Sequence, residues 1–250
     1  MAPRKRFSGP TDPRIRRALC IVAHPDDIEF FAAGTVAMMS RRGVAVDFVL
    51  ATSGDKGSRD GSRSGADVAA TREQEQLAGA ALLGAARVEF LRHRDAELVE
   101  SLEFRGELVR EIRRSRPDVL LTFSPMPGYR QHPDHRTLGR IAMDAAWPCA
   151  RDPLTYPDLG PPHETAEAWL FGGPEGADVN LKVDVTEVLD LKIRARLEHG
   201  SQTGSPRQLA ACWRCRTSSA PVPPISGRSP TSPAGSSAGS APATTRPSPT

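Results

Sequence analysis

Short apolar runs alternate with longer stretches in which apolar residues recur every third or fourth position, from residue 18 to residue 198. Residues 18–23 (ALCIVA) form a continuous apolar run, which predicts a strand buried on both faces. From Asp27 to Arg42, the spacing of Ile28, Phe31, Ala32, Val36 and Met39 predicts a helix, with Gly43 as its stop. Residues 44–51 (VAVDFVLA) predict a second strand. The Gly/Ser/Arg/Asp-rich segment from Thr52 to Gly65 predicts a long loop, a length usually reserved for function or disorder. Thr71 and Gln74 are spaced as a capping box, so a helix is expected over Thr71–Leu83. Strand 88–91, helix 103–115 and strand 118–123 follow, then a Pro/Gly loop from Ser124 to Gln131 and a helix over 133–146. Strands at 168–171 and 181–185 and a helix over 186–198 complete the pattern. Strands alternating with helices predict right-handed crossovers, and hence a Rossmann-like, doubly wound α/β fold: a mostly parallel sheet with helices on both faces.

Periodicity ends after Gln202, and composition divides the chain at the same place. Residues 201–250 carry no Asp, Glu or Lys but five Arg, eleven Ser and nine Pro. Removing those five arginines from the 33 Lys+Arg leaves 28 against 30 Asp+Glu, a net charge of −2 over residues 1–200. The basic balance therefore belongs to the two ends, and a nucleic-acid partner, which needs Lys and Arg on a folded face, is not expected. The predicted organisation is a mobile basic arm over 1–17, one domain over 18–204, and a disordered Ser/Pro/Ala/Arg-rich tail over 205–250. The abrupt change of composition is that expected of a shifted reading frame. No apolar run approaches the ~20 residues of a membrane span, and no signal-peptide core follows the basic start, so a cytoplasmic protein without membrane association is expected. Four cysteines give no disulfide framework: Cys20 and Cys149 read as small apolar residues, and Cys212/Cys215 as an isolated pair in the tail.

Chemistry in an open α/β sheet sits beyond the carboxyl ends of the strands. Two polar tetrapeptides fall there: His24-Pro25-Asp26-Asp27 after the first strand, and His132-Pro133-Asp134-His135 after the fourth strand and its loop. His24, Asp27 and His135 can supply the two imidazoles and one carboxylate of a catalytic zinc site, and the same set would accept Fe(II). Asp26, Asp134 and His132 are then left for acid/base work, for stabilising an oxyanion, or for orienting the ligands. No Gly-x-Gly-x-x-Gly follows the first strand, which speaks against a nucleotide-binding Rossmann protein.

The chain resembles the PIG-L/LmbE-like zinc-dependent deacetylases, in order and in spacing, over about residues 16–204. The resemblance rests on AHPDD (23–27), Thr-Ser-Gly-Asp-Lys-Gly (52–57), Arg72-x-x-Glu75, Leu83-Gly84, Arg94-Asp95, DVLLTF (118–123), HPDHR (132–136) and His199-x-Ser201-Gln202. It implies hydrolysis of an N-acetyl group on an N-acetylglucosamine-type sugar or conjugate, with a small amino-sugar as the molecular partner. It implies Zn2+ on His24, Asp27 and His135, with Fe2+ as the other candidate, and Asp26 as general base and acid. His132 would hold the oxyanion, Asp134 would set the protonation of His132, and Tyr129 would lie near the site, one residue further from His132 than in some relatives. Arg72 and Asp95 would meet the substrate. Asp55 stands where relatives often carry Glu, and His199 reads either as part of the family pattern or as a last-turn histidine favouring the helix dipole. An amidase of the same fold acting on a thiol-sugar conjugate and a truncated, non-catalytic sugar-binding member are the alternatives. Assembly into a homo-oligomer is left open.

Overall fold

A computed structural model describes residues 6–126, 132–172 and 179–203. Five strands build one sheet: β1 (Arg17–Val22), β2 (Ala45–Thr52), β3 (Arg87–His93), β4 (Val119–Phe123) and β5 (Glu167–Phe171). All four pairings are parallel, in the spatial order β3-β2-β1-β4-β5. Parallel strands require crossovers, and these are supplied by α1 (Asp27–Phe31), α2 (Ala33–Arg41), α3 (Gly65–Leu83), α4 (Leu102–Ser115) and α5 (Pro133–Asp144). A last helix, α6 (Leu189–Leu197), packs against α2 and α3. With right-handed crossovers, α2 and α3 cover one face while α4 and α5 cover the other. The central strands are therefore dry: β1 is buried from Ala18 to Val22 and β4 throughout. Strand addition reverses between β1 and β4, so the chain leaves these neighbours on opposite faces and opens a crevice beyond their carboxyl ends. Both polar tetrapeptides lead out of that crevice.

Several boundaries differ from the sequence expectation. The helix expected over Asp27–Arg42 is two helices, broken at Ala32 (φ −123°, ψ −6°). The cause lies far away in sequence: Lys192 Nζ donates to the carbonyls of Glu29 (3.1 Å) and Phe30 (2.7 Å), the acceptors that a continuous helix would offer to residues 33 and 34. The second helix begins at Gly65, not Thr71. Ser64 Oγ accepts from Asp67 N–H (3.1 Å) and caps it, while Thr71 Oγ1 bonds back to the carbonyl of Asp67 within the helix. Residues 181–185 form no strand. Val185 instead sits over α2, where a Cβ on Gly34 would lie 2.4 Å from Val185 Cγ1. The helix expected over 133–146 stops at Asp144 and runs into an irregular turn at Ala145–Ala150 with Trp147 extended. The arm expected over 1–17 is tied down from Phe7 onward: Phe7 N–H donates to Glu167, Arg14 pairs with Asp12, and Ile15 is in the core. Cys20 and Cys149 are free and buried, as expected. The tail over 205–250 lies outside the described residues. Among the described residues no helix is long and apolar enough to cross a membrane.

The buried Lys192 ammonium has a measurable consequence. Burial pushes it down to about 8, with Glu29 opposing the shift and Arg196 adding to it. The unfolded chain then binds more protons than the folded one between about pH 8 and the ordinary lysine value near 10.4. Stability is expected to rise with pH across that window, by at most about 1.4 kcal/mol per pH unit from this group. Denaturant midpoints of the wild type and Lys192→Met at about pH 8, 9 and 10 check it. An equal slope in both proteins would remove Lys192 as the source.

Candidate functional site

β1 ends at Val22, and the chain turns at once into α1, so His24 and Asp27 sit at the mouth of the crevice. Asp27 Oδ2 accepts from the backbone N–H groups of Ala23 (3.2 Å) and His24 (2.8 Å), which locks its carboxylate. Across the crevice, α5 starts with Pro133 in its first turn and presents His135, whose ring stacks on Phe123 of β4 with centroids 3.8 Å apart. Three donors converge: His24 Nδ1 lies 3.3 Å from His135 Nε2 and 3.5 Å from Asp27 Oδ2, and His135 Nε2 lies 3.2 Å from Asp27 Oδ1. Ligands about 2.0–2.1 Å from a tetrahedral ion stand about 3.3–3.4 Å apart, so the donor set matches a divalent metal in spacing as well as in type. Burial alone would raise Asp27, but His135 and His24 hold it well below the ordinary carboxylate range.

The other nitrogen of His24 is equally committed. Nε2 stands 3.1 Å from Asp134 Oδ2 and 3.1 Å from Asp95 Oδ1, the carboxylate–histidine arrangement that fixes a metal ligand's ring and tautomer. Burial lowers His24, yet Asp134, Asp27 and Asp95 together hold it up at about 11. Asp134 also accepts from Ala96 N–H (2.7 Å) and Leu98 N–H (3.2 Å), fastening the loop after β3 to the start of α5. His24, Asp95, His132 and Asp134 form a second acidic-imidazole cluster sharing His24. Its Asp134 carboxylate is engaged by His24 and two backbone N–H groups, whereas in the triad Asp27 Oδ1 faces only His135 among the described residues.

Asp26 stands outside both clusters. Its backbone is left-handed (φ 97°, ψ −16°), and its carboxylate meets two arginines. Oδ2 accepts from Arg196 Nη1 (2.8 Å), and Oδ1 lies 3.5 Å from Arg72 Nη2. Burial and the neighbouring Asp27 raise Asp26 above the usual carboxylate range, against the pull of Arg196 and Arg72. Arg72 is itself buried, donating to the carbonyls of Pro25 (2.6 Å) and Gly54 (3.2 Å). The glycines of the 52–57 loop make room for it: a Cβ on Gly54 or Gly57 would come within 2.2 Å of Arg72 Nη1. Arg72 thus holds the loops after β1 and β2 against each other.

His132 caps α5, with Nδ1 accepting from Asp134 N–H at 3.3 Å. That bond leaves the ring proton on Nε2, and the ring stands edge-on to His24 with centroids 4.6 Å apart. Burial and the charge of His24 lower His132. Asp134 carries less of its expected task on His132, since its carboxylate is 4.0 Å from His132 Nδ1 but 3.1 Å from His24; its backbone N–H sets the His132 tautomer instead. Asp95 faces His24 through its carboxylate and donates its own N–H to Asp55 Oδ1 (2.8 Å). Tyr129 lies outside the described residues.

Residues 19–146, just over half of the chain, match the family described as PIG-L, GlcNAc-PI de-N-acetylase. The chain belongs to the PIG-L family. Diacetylchitobiose deacetylase of Thermococcus kodakarensis is 32% identical over 188 residues, covering 75% of this chain and 70% of that protein. The 1D-myo-inositol 2-acetamido-2-deoxy-alpha-D-glucopyranoside deacetylase of Streptomyces scabiei is 36% identical over 186 residues, covering 64% of this chain and 57% of that protein. Among solved structures, N,N'-diacetylchitobiose deacetylase from Pyrococcus horikoshii, complexed with its inhibitor MPG, superposes with a TM-score of 0.74 at 31% identity, over 81% of this chain and 76% of that one.

In this PIG-L chain a further group of polar residues, Glu29, Gln76, Lys192 and Arg196 beside the already noted His199, lies behind Asp26. Glu29, Gln76 and His199 are fully buried, and Lys192 and Arg196 reach into the same region from α6. His199, read from sequence as part of the family pattern or as a last-turn histidine favouring the helix dipole, lies just past α6 and is buried, its Nε2 3.2 Å from Glu29 Oε2. The available signal was the spacing of Lys192 and Arg196, four apart and so on one face of α6, with His199 three residues further on in the turn that follows. On the other side of the crevice, half-exposed Phe31 stacks on Phe171 (5.2 Å between centroids) and lies 6.3 Å from His135, giving the mouth an apolar wall.

Proposed function

We propose that the chain is a metal-dependent N-deacetylase that hydrolyses the acetamide of an N-acetylglucosamine-type sugar or conjugate. The observation that carries this reading is the convergence of His24, Asp27 and His135, with Asp26 beside them but not among them, in a member of the PIG-L family. Zinc suits two imidazoles and a carboxylate, and Fe(II) is accepted by the same donors. When bound, such an ion lowers the pKa of a water to about 7 and polarises a carbonyl.

The chain's own residues supply the rest. Asp26, raised by burial and by Asp27, takes a proton from the attacking water and returns it to the departing amine. His132 donates its Nε2–H to the acetyl oxygen as negative charge develops there, and its tautomer is already set by Asp134 N–H, so no reorganisation is needed. Asp134 and Asp95 keep the His24 ring turned so that Nδ1 faces the cation site. Arg72 acts by positioning, holding the loops that carry Asp26 and Asp55. Phe31 and Phe171 offer an apolar surface for the methyl group or the nonpolar face of a pyranose ring.

The test is a substrate panel with the zinc- or iron-loaded full chain: N-acetylglucosamine, diacetylchitobiose, an N-acetylglucosaminyl inositol and a thiol-sugar amide. Acetate and free amine are expected in equal amounts from at least one N-acetyl sugar. Cleavage of the thiol-sugar amide without acetate would move the reaction to another amide bond. Sugar binding with no product from metal-loaded protein would leave a binding member.

A further inference from the structure

The left-handed backbone at Asp26 needs support. A non-glycine residue there is strained and persists only where its surroundings over-determine it. Asp26 N–H donates to Gln76 Oε1 at 3.0 Å. The Gln76 amide has one workable orientation, because its Nε2 donates to Glu29 Oε1 at 2.9 Å; a flip would oppose two donors at Asp26 and two acceptors at Glu29. Glu29 in turn places Oε2 3.2 Å from His199 Nε2, an ion-pair distance without hydrogen-bond geometry, with the Lys192 ammonium also near Glu29. Glu29, Gln76 and His199 have no exposed surface, so no solvent replaces a partner that is lost. Gly79 leaves the space for this array: a Cβ there would lie 2.9 Å from Glu29 Oε1 and 3.3 Å from His199 Nε2. From the turn before His199, Arg196 reaches the Asp26 carboxylate.

We propose that His199 is a positioning residue for Asp26, acting through Glu29 and Gln76, so that α6 and the turn after it complete the catalytic site from behind. The inference rests on the reading of Asp26 as the proton-transferring group. Without the His199 ring against it, the Glu29 carboxylate is free to turn, Gln76 loses the fixed acceptor that sets its orientation, and Asp26 is free to leave the conformation that aims its carboxylate. A displacement of about 1 Å at a reacting group costs up to about 10²-fold in rate. The three metal donors His24, Asp27 and His135 make no contact with His199, so metal content is spared.

The experiment compares His199→Asn with His199→Gln in the full, metal-loaded chain. A glutamine amide nitrogen falls where Nε2 stands, whereas an asparagine nitrogen falls near Nδ1. His199→Asn is expected to lower kcat roughly 10- to 100-fold, with KM within about threefold and about one metal ion per chain. His199→Gln should restore most of the lost kcat. In an Asp26→Asn background, His199→Asn should change kcat by less than about twofold, because the group it positions is gone. Equal kcat in the Asn and Gln variants, or a full additive loss in the Asp26→Asn background, would overturn the proposal. Near wild-type turnover in Asp26→Asn alone would instead remove the reading of Asp26 on which it rests. If His199→Asn does not fold, Gln76→Met decides the matter: it removes the acceptor for Asp26 N–H at similar volume. Its kcat should fall by a similar factor with metal retained, and an unchanged kcat overturns the proposal.

Discussion

Asp26→Asn is expected to lower kcat by roughly 10²- to 10⁴-fold while the protein still binds about one metal ion per chain. Both halves of the expectation follow from where Asp26 stands. Its carboxylate takes no part in the cluster of His24, Asp27 and His135, so the donor set is intact in the variant. Asparagine tolerates the left-handed conformation at φ 97°, and its amide oxygen still accepts from Arg196, so the loop should keep its path. What disappears is a group able to take and return a proton. Alanine would be a poorer test, because a bare Cβ at this φ adds strain to the loss of chemistry. Steady-state rates together with metal analysis of the same preparation check the result. Near wild-type turnover with metal bound would take the acid/base role away from Asp26.

His135→Ala should abolish stoichiometric metal binding, and with it any metal-dependent rise in thermal stability. His135 is the one donor of the triad contributed by the far side of the crevice, so its loss leaves only the two donors of the β1–α1 turn. Those two are insufficient for a catalytic site of this kind, which takes three protein ligands. Asp134→Asn offers a graded comparison. It removes no ligand, but weakens the hold on the His24 ring, for which a loss of about 10- to 100-fold in metal affinity is expected. Metal analysis after dialysis, with thermal melts in zinc and in chelator, ranks the three proteins. Full stoichiometry in His135→Ala would show that the cation sits elsewhere, with the cluster of His24, Asp95, His132 and Asp134 as the next place to look.

Much of this site was legible before any coordinates. The two tetrapeptides announce themselves because each places imidazole and carboxylate groups directly after an apolar run, where side chains of an α/β sheet reach the crevice. Strand and helix identities followed from periodicity, since a buried parallel strand and an amphipathic helix bury their apolar residues at different intervals. Local spacing failed where distant residues intervened. Lys192 interrupts α1 through the carbonyls of Glu29 and Phe30, and Val185 settles on Gly34 instead of joining the sheet edge. The cap at Ser64 was missed because Thr71 offered the same chemistry seven residues later and periodicity alone cannot choose between two caps.

The sequence by itself therefore determined the fold class, the apolar core and the two tetrapeptides from which the candidate donors His24, Asp27 and His135 come, because each is set by residue type and short-range spacing. Only the tertiary structure decided the division of labour among the remaining polar groups. Asp134 turned out to serve His24 through its carboxylate and His132 through its backbone, and Arg72 to brace two loops. His199 and Glu29, 170 residues apart in the chain, became neighbours. Those roles depend on which atom faces which across a strand-order reversal and a helix-docking surface, and hydrogen bonds of about 3 Å are not encoded in the spacing of residues along the chain.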